Sequence, residues 1–525
     1  MFLNSARRSA RRRLILALTV AAVVSASVGG CGGCGGPGAG PRKHVERRPQ
    51  PPATNLNAPP PVDRRHPNIV FVLTDDLASN LVRFAPHVRR MQTRGVTFKR
   101  YFVTDSLCCP SRASIFSGRF PHNTHIFTNT PPDGGFHSFR RRGEELSTFA
   151  TALGGAGYRT ALMGKYLNGY LPVARSGRSH VPPGWSQWDV AGNGYPEFNY
   201  LLNENGGVVP YGRRPAAYLT DVLARKGADF IRRSAAARQP FALELATFAP
   251  HAPYTPAPRD AHRFPRARVP RTPAFNRENS KAPRWLAAGR PLPRSWLRLM
   301  DRSFRKRAQS VLAIDRMVAG VESALKAAGV ADNTYVIFSS DNGLHMGEHR
   351  LLPGKLTAFD SDIRVPLIVT GPGIAHGRTV HKMVENVDLA PTLSQLAGTR
   401  MLSSVDGHSI VPLLHGQAVA RWRDAVLIEH HGPVRGPFDP DLPDVGSGNP
   451  PSYEAVRTPH EVYVEYATGE AEYYDLARDP FEMHNAVARL SRRRRARLHA
   501  TLNALERCRG RRACWAAGHI ARRRG

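Results

Sequence analysis

Two apolar runs far apart in the chain, residues 68–73 and 335–338, each lead into a pair of neighbouring oxygen-bearing side chains. The first run ends near Asp75 and Asp76, the second near Asp341 and Asn342. Unbroken runs rich in β-branched residues are typical of strands buried on both faces of a parallel sheet. Ligands of open α/β sheets bind beyond the carboxyl ends of the strands, so the two endings predict one shared site.

These four side chains form a set of oxygen donors. Two carboxylates at one strand end repel each other unless a cation lies between them, and hard oxygen ligands suit Ca²⁺ or Mg²⁺ better than Zn²⁺. The alternative is that each acid only caps a turn. Because two separate strands end in the same way, we expect a metal site.

A third segment, residues 106–118, reads Ser-Leu-Cys-Cys-Pro-Ser-Arg-Ala-Ser-Ile-Phe-Ser-Gly. Its Pro-Ser pair favours a helix start, and a helix N-terminus attracts an anion. Cys108 is expected just before that end, and Arg112 one turn later, where it can meet a charged oxygen. The alternative is that Cys108 and Cys109 are two buried thiols or a strained bridge.

The Cys-x-Pro-Ser-Arg pattern followed by two apolar residues, a small residue and glycine resembles the signature of the sulfatase family. The resemblance covers residues 66–490 and is strongest to the N-acetylglucosamine-6-sulfatase branch. The further segments that carry it, in the family's order, are Pro121-His122-Asn123, Gly164-Lys165-Tyr166-Leu167-Asn168, Pro250-His251, Asp341-Asn342-Gly343, Gly354-Lys355, Tyr474-Asp475-Leu476 and Asp479-Pro480.

The resemblance implies hydrolysis of sulfate esters on a sulfated sugar or polysaccharide. It implies that a formylglycine-generating enzyme oxidises Cys108 to formylglycine, whose hydrate has one hydroxyl to attack sulfur and a second to release the sulfate. It also implies one Ca²⁺ or Mg²⁺. The metal site would comprise Asp75, Asp76, Cys108, Asp341 and Asn342.

Four further residues receive catalytic roles from the resemblance. Arg112 would hold the formylglycine oxygens, and Lys165 and Lys355 would hold sulfate oxygens as point charges. His251 would contact the sulfate or protonate the leaving group. Only nine lysines occur in the chain, which makes two at these positions informative.

One position departs from the family's pattern. Many sulfatases have a second histidine two residues after the first lysine, and here that position is Leu167. Asn168, His345 or His349 are candidates for its role of steadying the hydrated aldehyde, and the sequence does not decide among them.

The predicted fold class is α/β, an alkaline-phosphatase-like sandwich with a smaller C-terminal antiparallel β-sheet and a closing helix. An amphipathic helix is expected over 308–327, a hairpin over 462–476, and a surface insertion over 255–300. The domains are predicted as an export signal (1–30, with a lipoprotein-like cleavage site), a disordered Gly/Pro/Arg tether (31–65), the catalytic domain (66–400) and a C-terminal subdomain with a basic helical tail (401–525).

The charge balance bears on location and partners. The formal net charge is +33, and removing residues 1–30, which carry five arginines and no acid, leaves +28. This favours an anionic partner or surface, although a bias toward arginine codons would produce the same composition. We expect export, attachment to a membrane through a lipid on Cys31, a local disulfide between Cys508 and Cys514, and no nucleic-acid partner.

Two alternative functions remain at the level of sequence. A phosphate mono- or diester hydrolase of the alkaline phosphatase superfamily would use similar metal geometry, but usually with Ser or Thr in place of Cys108 and with two metals. A non-enzymatic polyanion-binding protein would explain the positive charge but not the clustered site residues.

Overall fold

A computed structural model describes residues 66–173, 177, 179–401, 404–435, 439 and 441–520. The predicted export signal, the predicted tether and Cys31 lie outside the described residues. Within the described ranges, no helix combines the length and the apolar character needed to cross a membrane.

Sixteen strands are present in the described residues, and ten of them form one large sheet in the order β11-β2-β10-β9-β1-β8-β4-β5-β6-β7. Their bounds are β1 Asn68–Thr74, β2 Val96–Phe98, β3 Tyr101–Phe102, β4 Arg159–Lys165, β5 Gln187–Ala191, β6 Tyr200–Glu204, β7 Gly207–Tyr211, β8 Phe241–Ala246, β9 Thr334–Ser340, β10 Leu367–Thr370, β11 Arg378–Val380, β12 Val384–Glu385, β13 Val426–His430, β14 Tyr453–Arg457, β15 Glu461–Tyr466 and β16 Ala471–Asp475.

The centre of the large sheet is parallel. β1 pairs in parallel with β9 on one side and β8 on the other, and β8 continues through β4 to β5. All seven residues of β1 and of β9 are buried, as expected for strands covered on both faces. The prediction of two buried parallel strands is confirmed, and they are direct neighbours.

Thirteen α-helices in the described residues cover and connect the sheets. Their bounds are α1 Pro86–Arg94, α2 Cys108–Ser117, α3 Pro121–Thr124, α4 Gly135–Arg141, α5 Phe149–Gly155, α6 Leu219–Ala236, α7 Arg284–Ala287, α8 Arg294–Ala327, α9 Asp360–Ile363, α10 Leu389–Leu396, α11 Val411–Leu414, α12 Arg492–Glu506 and α13 Arg511–Ala517.

The two faces of the sheet carry separate apolar cores. Along β1 the side chains alternate: Ile69 and Phe71 join the core that contains α2, α5 and α10, whereas Val70 and Val72 join the core that contains α1, α6 and α8. This alternation follows from the two-residue period of a strand. The layered arrangement of helices on both faces confirms the predicted α/β sandwich.

The amphipathic helix predicted over 308–327 begins earlier than expected. α8 starts at Arg294 and is 34 residues long, so the end of the predicted insertion 255–300 is helical. Its first turns carry several arginines and exposed apolar side chains, which hide the helical period in the sequence. Most of the buried residues of α8 lie in its second half, where the pattern is readable.

The smaller sheet is antiparallel, in the order β13-β14-β15-β16. β15 and β16 form the predicted hairpin, and Leu502 and Leu505 of α12 share an apolar cluster with Leu427 of β13 and Val456 of β14. The predicted basic tail contains two helices, α12 and α13, joined by a short loop. Cys508 in that loop is bonded to Cys514 in α13, which confirms the predicted local disulfide.

Candidate active site

The parallel pairing of β1 and β9 brings the two acidic strand endings together. Thr74 is in register with Ser340, so the next residue of each strand is an aspartate. The Asp341 N–H donates to the Thr74 carbonyl at 3.0 Å, and the Asp76 N–H donates to Asp341 Oδ1 at 3.1 Å. Asp76 has a φ of 60°, a left-handed conformation that is costly for a residue with a Cβ and is often found at functional sites.

Cys108 is the first residue of α2, directly beyond these strand ends. Its side chain has no exposed surface, and Sγ lies 3.2 Å from Asp75 Oδ1 and 2.9 Å from Lys355 Nζ. Burial, together with Asp341, Asp441 and Asp75, raises the pKa of the Cys108 thiol well above its ordinary value. The unmodified thiol is therefore protonated at neutral pH and is a poor nucleophile.

The two predicted lysines contact the acidic pair. Lys165 Nζ lies 2.6 Å from Asp75 Oδ2, and Lys355 Nζ lies 2.7 Å from Asp76 Oδ1. Burial lowers the pKa of each lysine, but the neighbouring carboxylates raise it by more. The pKa of both lysines therefore lies well above the ordinary value. Both lysines are thus fixed positive charges.

Gly164 explains how Lys165 reaches the site. It has a φ of 113°, and a Cβ at this position would lie 1.9 Å from the Ala246 carbonyl oxygen on β8. Only glycine permits this approach of β4 to β8. The Gly-Lys pair therefore places a lysine at the carboxyl end of β4.

Arg112 is buried beneath the acidic cluster. Its Nε donates to Asp341 Oδ2 at 2.8 Å and its Nη1 donates to the Lys165 carbonyl at 3.1 Å. Burial opposes the guanidinium charge, but Asp341 and Asp75 outweigh it and raise the pKa of Arg112. Among the described residues, Nη2 has no hydrogen-bond partner, so the guanidinium can still donate to a further oxygen.

His251 follows β8 and faces the same cluster. Its Nδ1 lies 2.8 Å from the Ala252 carbonyl, which fixes a proton on Nδ1 and points Nε2 into the site. Nε2 lies 3.5 Å from Asp76 Oδ2. Burial lowers the pKa of His251, but the surrounding carboxylates, Asp76 first, raise it to about 9. His251 is therefore protonated at neutral pH.

The donor set fits a hard cation. Ligand atoms of Asp75, Asp76, Cys108 and His251 all lie within 4.8 Å of one another, and the two carboxylates are the hard ligands of this group, because protonated His251 has no lone pair to offer. Asn342 donates from Nδ2 to Asp76 Oδ1 at 2.6 Å, and its own Oδ1 is buried without a hydrogen-bond partner among the described residues. A buried carbonyl oxygen without a donor is costly, and a cation would satisfy it. Asp341, the other predicted ligand, has its carboxylate engaged by Arg112.

The structure thus brings together every residue that the sequence nominated for the site. They are Asp75, Asp76, Cys108, Arg112, Lys165, His251, Asp341, Asn342 and Lys355, and all are buried. Their individual roles stay predictions, because proximity alone does not assign a role.

The position of the missing second histidine is taken by an apolar side chain. Leu167 belongs to the core on the α2 face of the sheet. His345 is held by Asp362 at 2.9 Å and by the Ser447 carbonyl, and His349 stacks on Phe359. Of the three candidates, only Asn168 makes a contact with this cluster, through Asp441 at 3.2 Å.

Sequence reasoning missed several residues of the site. Asp441 contacts both His251 and Lys355, and Tyr195 lies with its ring 4.6 Å from that of His251. Arg307 on α8 donates to the Asp76 carbonyl. An Asp-x-Asp pattern at 439–441 is the only sequence signal among these, and it is too short to stand out.

Glu244 was also missed. It lies on β8, is 2% exposed, and neither of its carboxyl oxygens has a hydrogen-bond partner among the described residues. Burial raises the pKa of Glu244 to about 8, and Arg112 partly opposes this shift. The chain therefore holds a neutral carboxyl group below the site at neutral pH.

The charges of the site are balanced without a metal. The four carboxylates are Asp75, Asp76, Asp341 and Asp441, and the four cationic groups are Lys165, Lys355, Arg112 and protonated His251. Addition of a dication would make the pocket positive, which suits an anionic ester. The arrangement can hold an anion, stabilise a developing negative charge and supply a proton.

Comparison with known proteins identifies clear relatives. A family profile described as Sulfatase matches residues 67–399, and one described as N-sulphoglucosamine sulphohydrolase, C-terminal, matches residues 347–507. The N-acetylglucosamine-6-sulfatase of Homo sapiens is 34% identical over 473 residues, covering 85% of this chain and 85% of that protein. That of Capra hircus is 34% identical, covering 85% and 84%.

Solved structures share the fold. A protein in complex with its substrate D-glucosamine-2-N,6-O-disulfate superposes with a TM-score of 0.69 at 22% identity, covering 83% of this chain and 97% of that one. A phosphonate monoester hydrolase from Silicibacter pomeroyi superposes with a TM-score of 0.61 at 22% identity, covering 82% and 93%. These likenesses confirm the alkaline-phosphatase-like fold, which serves more than one ester chemistry.

Proposed function

This chain belongs to the sulfatase family and is a sulfuric ester hydrolase, and from that premise we propose that it removes the 6-sulfate of N-acetylglucosamine or of a closely related sulfated sugar. The curated relatives of that name, 34% identical over most of both chains, support this substrate class. The observation that carries the proposal is the position of Cys108 at the start of α2, in contact with Lys355 and Asp75.

Conversion of Cys108 to formylglycine is part of this proposal. A thiol held protonated by its surroundings does not supply a nucleophile at neutral pH. The formylglycine hydrate, made by a formylglycine-generating enzyme, supplies a hydroxyl nucleophile and a second hydroxyl for release of sulfate. Asp75 Oδ1 is placed to accept a proton from a hydroxyl at this position, and Lys355 Nζ is placed to donate to one.

One Ca²⁺ or Mg²⁺ fits between the strand ends. Asp75, Asp76 and Asn342 would hold it, with Asp341 and the modified Cys108 completing an oxygen set. The cation supplies charge stabilisation for the sulfate oxygens. Asn342 Oδ1, buried without a donor among the described residues, supports a cation at this position.

The remaining side chains of the site bind and protonate the substrate. Lys165 and Lys355 attract sulfate oxygens as permanent charges, and Arg112 orients the Asp341 carboxylate through its 2.8 Å bond. His251, protonated on Nε2, donates a proton to the sugar oxygen as the S–O bond lengthens. The carboxylate cluster that raises its pKa keeps this acid charged.

We further propose that the protein acts outside the cytoplasm. Residues 1–30 would direct export, a lipid on Cys31 would attach the chain to a membrane, and residues 31–65 would serve as a tether. The catalytic domain would span 66–400 and the C-terminal subdomain 401–525. Extracellular relatives, such as the SULF-1 homolog of Drosophila melanogaster, 35% identical over 70% of this chain and 33% of that protein, are compatible with export.

A paired-substrate assay tests this function. Purified protein co-expressed with a formylglycine-generating enzyme is given N-acetylglucosamine 6-sulfate and N-acetylglucosamine 6-phosphate at equal concentration. Release of sulfate at a kcat/KM at least about a hundredfold above that for phosphate release is expected. Preferential release of phosphate would instead favour the phosphate-ester alternative, with which the shared fold is compatible. A panel of sulfated sugars then fixes the position that is cleaved.

A further inference from the structure

Asp441 lies on the segment between β13 and β14, and its carboxylate is inside the active site. Its side chain is 1% exposed. Oδ1 lies 2.5 Å from His251 Nε2 and 2.8 Å from Lys355 Nζ. Oδ2 accepts hydrogen bonds from Asn129 Nδ2 at 2.7 Å and from Asn168 Nδ2 at 3.2 Å. This carboxylate is therefore fully paired, with two cationic groups on one oxygen and two amides on the other.

The proposed function assigns both cationic groups to the substrate, Lys355 to the sulfate oxygens and His251 to the oxygen that joins the sulfate to the sugar. His251 Nδ1 faces the Ala252 carbonyl, so Nε2 carries the one N–H that the ring can offer to an anion in the site. A sulfate oxygen and Asp441 Oδ1 compete for that hydrogen. Two anions also repel each other when they share one buried cation. Asp441 and the substrate sulfate cannot both hold His251 and Lys355.

We propose that the Asp441 carboxylate occupies the sulfate subsite of the free protein and is displaced from His251 and Lys355 when the sulfated sugar binds. This inference rests on the proposed function. When the protein's own carboxylate occupies the subsite for most of the time, the apparent affinity for any external anion falls. It equals the intrinsic affinity multiplied by the fraction of molecules whose subsite is free. Asp441 is thus an internal competitor.

Such a competitor favours substrate over product. The sugar of the ester makes contacts that free sulfate lacks, and those contacts contribute to displacing the carboxylate. Free sulfate has only its charge with which to compete. After hydrolysis, return of Asp441 to His251 and Lys355 would expel the sulfate and limit product inhibition.

Titration of inorganic sulfate tests this without turnover. The calcium-loaded protein and its Asp441→Asn and Asp441→Ala variants are titrated with sodium sulfate by calorimetry. Both variants are expected to bind sulfate at least about tenfold more tightly than the wild type. Asp444→Asn is the matched control, because this acid on the same segment is exposed, and it should bind as the wild type does. Unchanged or weaker sulfate binding in both Asp441 variants would overturn the proposal.

Steady-state kinetics separate competition from catalysis. If Asp441 competes with substrate, Asp441→Asn lowers KM for the sulfated monosaccharide. A fall in kcat of about a hundredfold or more at unchanged KM would overturn the proposal and identify Asp441 as the partner that supports His251 in proton transfer. Melting curves check that the variants are folded. Asn168→Ala, which removes one bond that holds the carboxylate in place, should also tighten sulfate binding, and it provides a second route if the Asp441 variants do not fold.

The two hypotheses fail separately. Tighter sulfate binding in the Asp441 variants of a protein that cleaves no sulfated sugar would support the internal competitor and reject the proposed substrate. Turnover of the sulfated sugar, with sulfate affinity that does not respond to Asp441, would reject the competitor and leave the proposed function intact.

Discussion

At the residue scale, the site contains two adjacent cysteines in different surroundings. Cys108 Sγ faces Asp75 and Lys355, whereas Cys109 belongs to the apolar core on the α2 face of the sheet. Both are fully buried. The two cysteines differ in their neighbours and not in their exposure, and only the Cys108 side chain of this pair faces charged groups.

This contrast gives the first prediction. Cys108→Ala removes the proposed nucleophile and should lower kcat by at least about a thousandfold. Cys109→Ala, a matched loss of a buried thiol one residue away, should keep kcat within a few-fold and lower only stability. Turnover assays on both variants, with mass spectrometry for an aldehyde in place of the Cys108 thiol, provide the measurement. Full activity in Cys108→Ala would reject the assignment.

Glu244 gives a prediction about pH and stability. Its pKa is raised from an ordinary 4.5 to about 8 in the folded protein. The folded state therefore keeps a proton that the unfolded state loses, so the contribution of Glu244 to stability is greatest below about pH 4.5 and falls as the pH rises toward 8. For one carboxyl group the loss is at most about 4 to 5 kcal/mol.

The test compares melting temperatures between pH 5 and pH 8. Glu244→Gln cannot ionise, so its melting temperature should rise relative to the wild type as the pH increases. Glu278→Gln, at an exposed position, serves as the control and should show a constant difference. Parallel curves for Glu244→Gln and wild type would show that Glu244 does not carry a buried proton.

At the scale of elements, the strand ends of β1 and β9 form one half of the site and the start of α2 forms the other. Lys165 and Lys355 form ion pairs with Asp75 and Asp76, two of the acids that would bind the ion. Activity and folding are expected to respond differently to its removal.

Chelation provides the test. Removal of divalent ions should abolish turnover while the protein stays folded, and added Ca²⁺ or Mg²⁺ should restore turnover. The melting temperature should rise with ion concentration, because at a hundred times the Kd a ligand adds about 2.7 kcal/mol to stability. Asp76→Asn should lose this rise. Undiminished activity after exhaustive chelation would contradict the metal site.

The same elements show what the sequence could and could not predict. Asp75, Asp341 and Cys108 were found because each follows a strong local pattern, a buried strand or a helix start. Asp441 follows no such pattern, and its place depends on how the segment after β13 crosses the site. The early start of α8 at Arg294 was missed because arginines with long apolar stems obscure the amphipathic period. The position of Asp441 and the start of α8 both depend on packing between segments that are far apart in the sequence.

At the scale of the whole molecule, the excess of positive charge surrounds a site that is itself balanced. The net charge of +33 comes mostly from arginines, many of them exposed. A basic surface draws in a polyanion and raises its local concentration. It has little effect on a small ester that carries one charge.

Salt dependence distinguishes a catalytic role of this surface from a bias in composition. Attraction between exposed charges is screened over about 10 Å at 0.1 M ionic strength. If the surface recruits polymer, increasing salt should lower kcat/KM for a sulfated polysaccharide much more than for a sulfated monosaccharide. An equal response of the two substrates would leave the surface charge without a role in catalysis.

The complete burial of Cys108 bears on whether its modification precedes or follows folding. A modifying enzyme must reach the sulfur atom, and in the folded chain that atom has no exposed surface. The proposed conversion of Cys108 to formylglycine would therefore have to occur before the chain folds. Before folding, the Cys108 thiol coexists with the five other cysteines of the sequence, among them Cys508 and Cys514, which are bonded in the folded protein. Mispairing of Cys108 with any of them would produce a protein that folds incorrectly or is permanently inactive, which makes the timing of oxidation a determinant of yield.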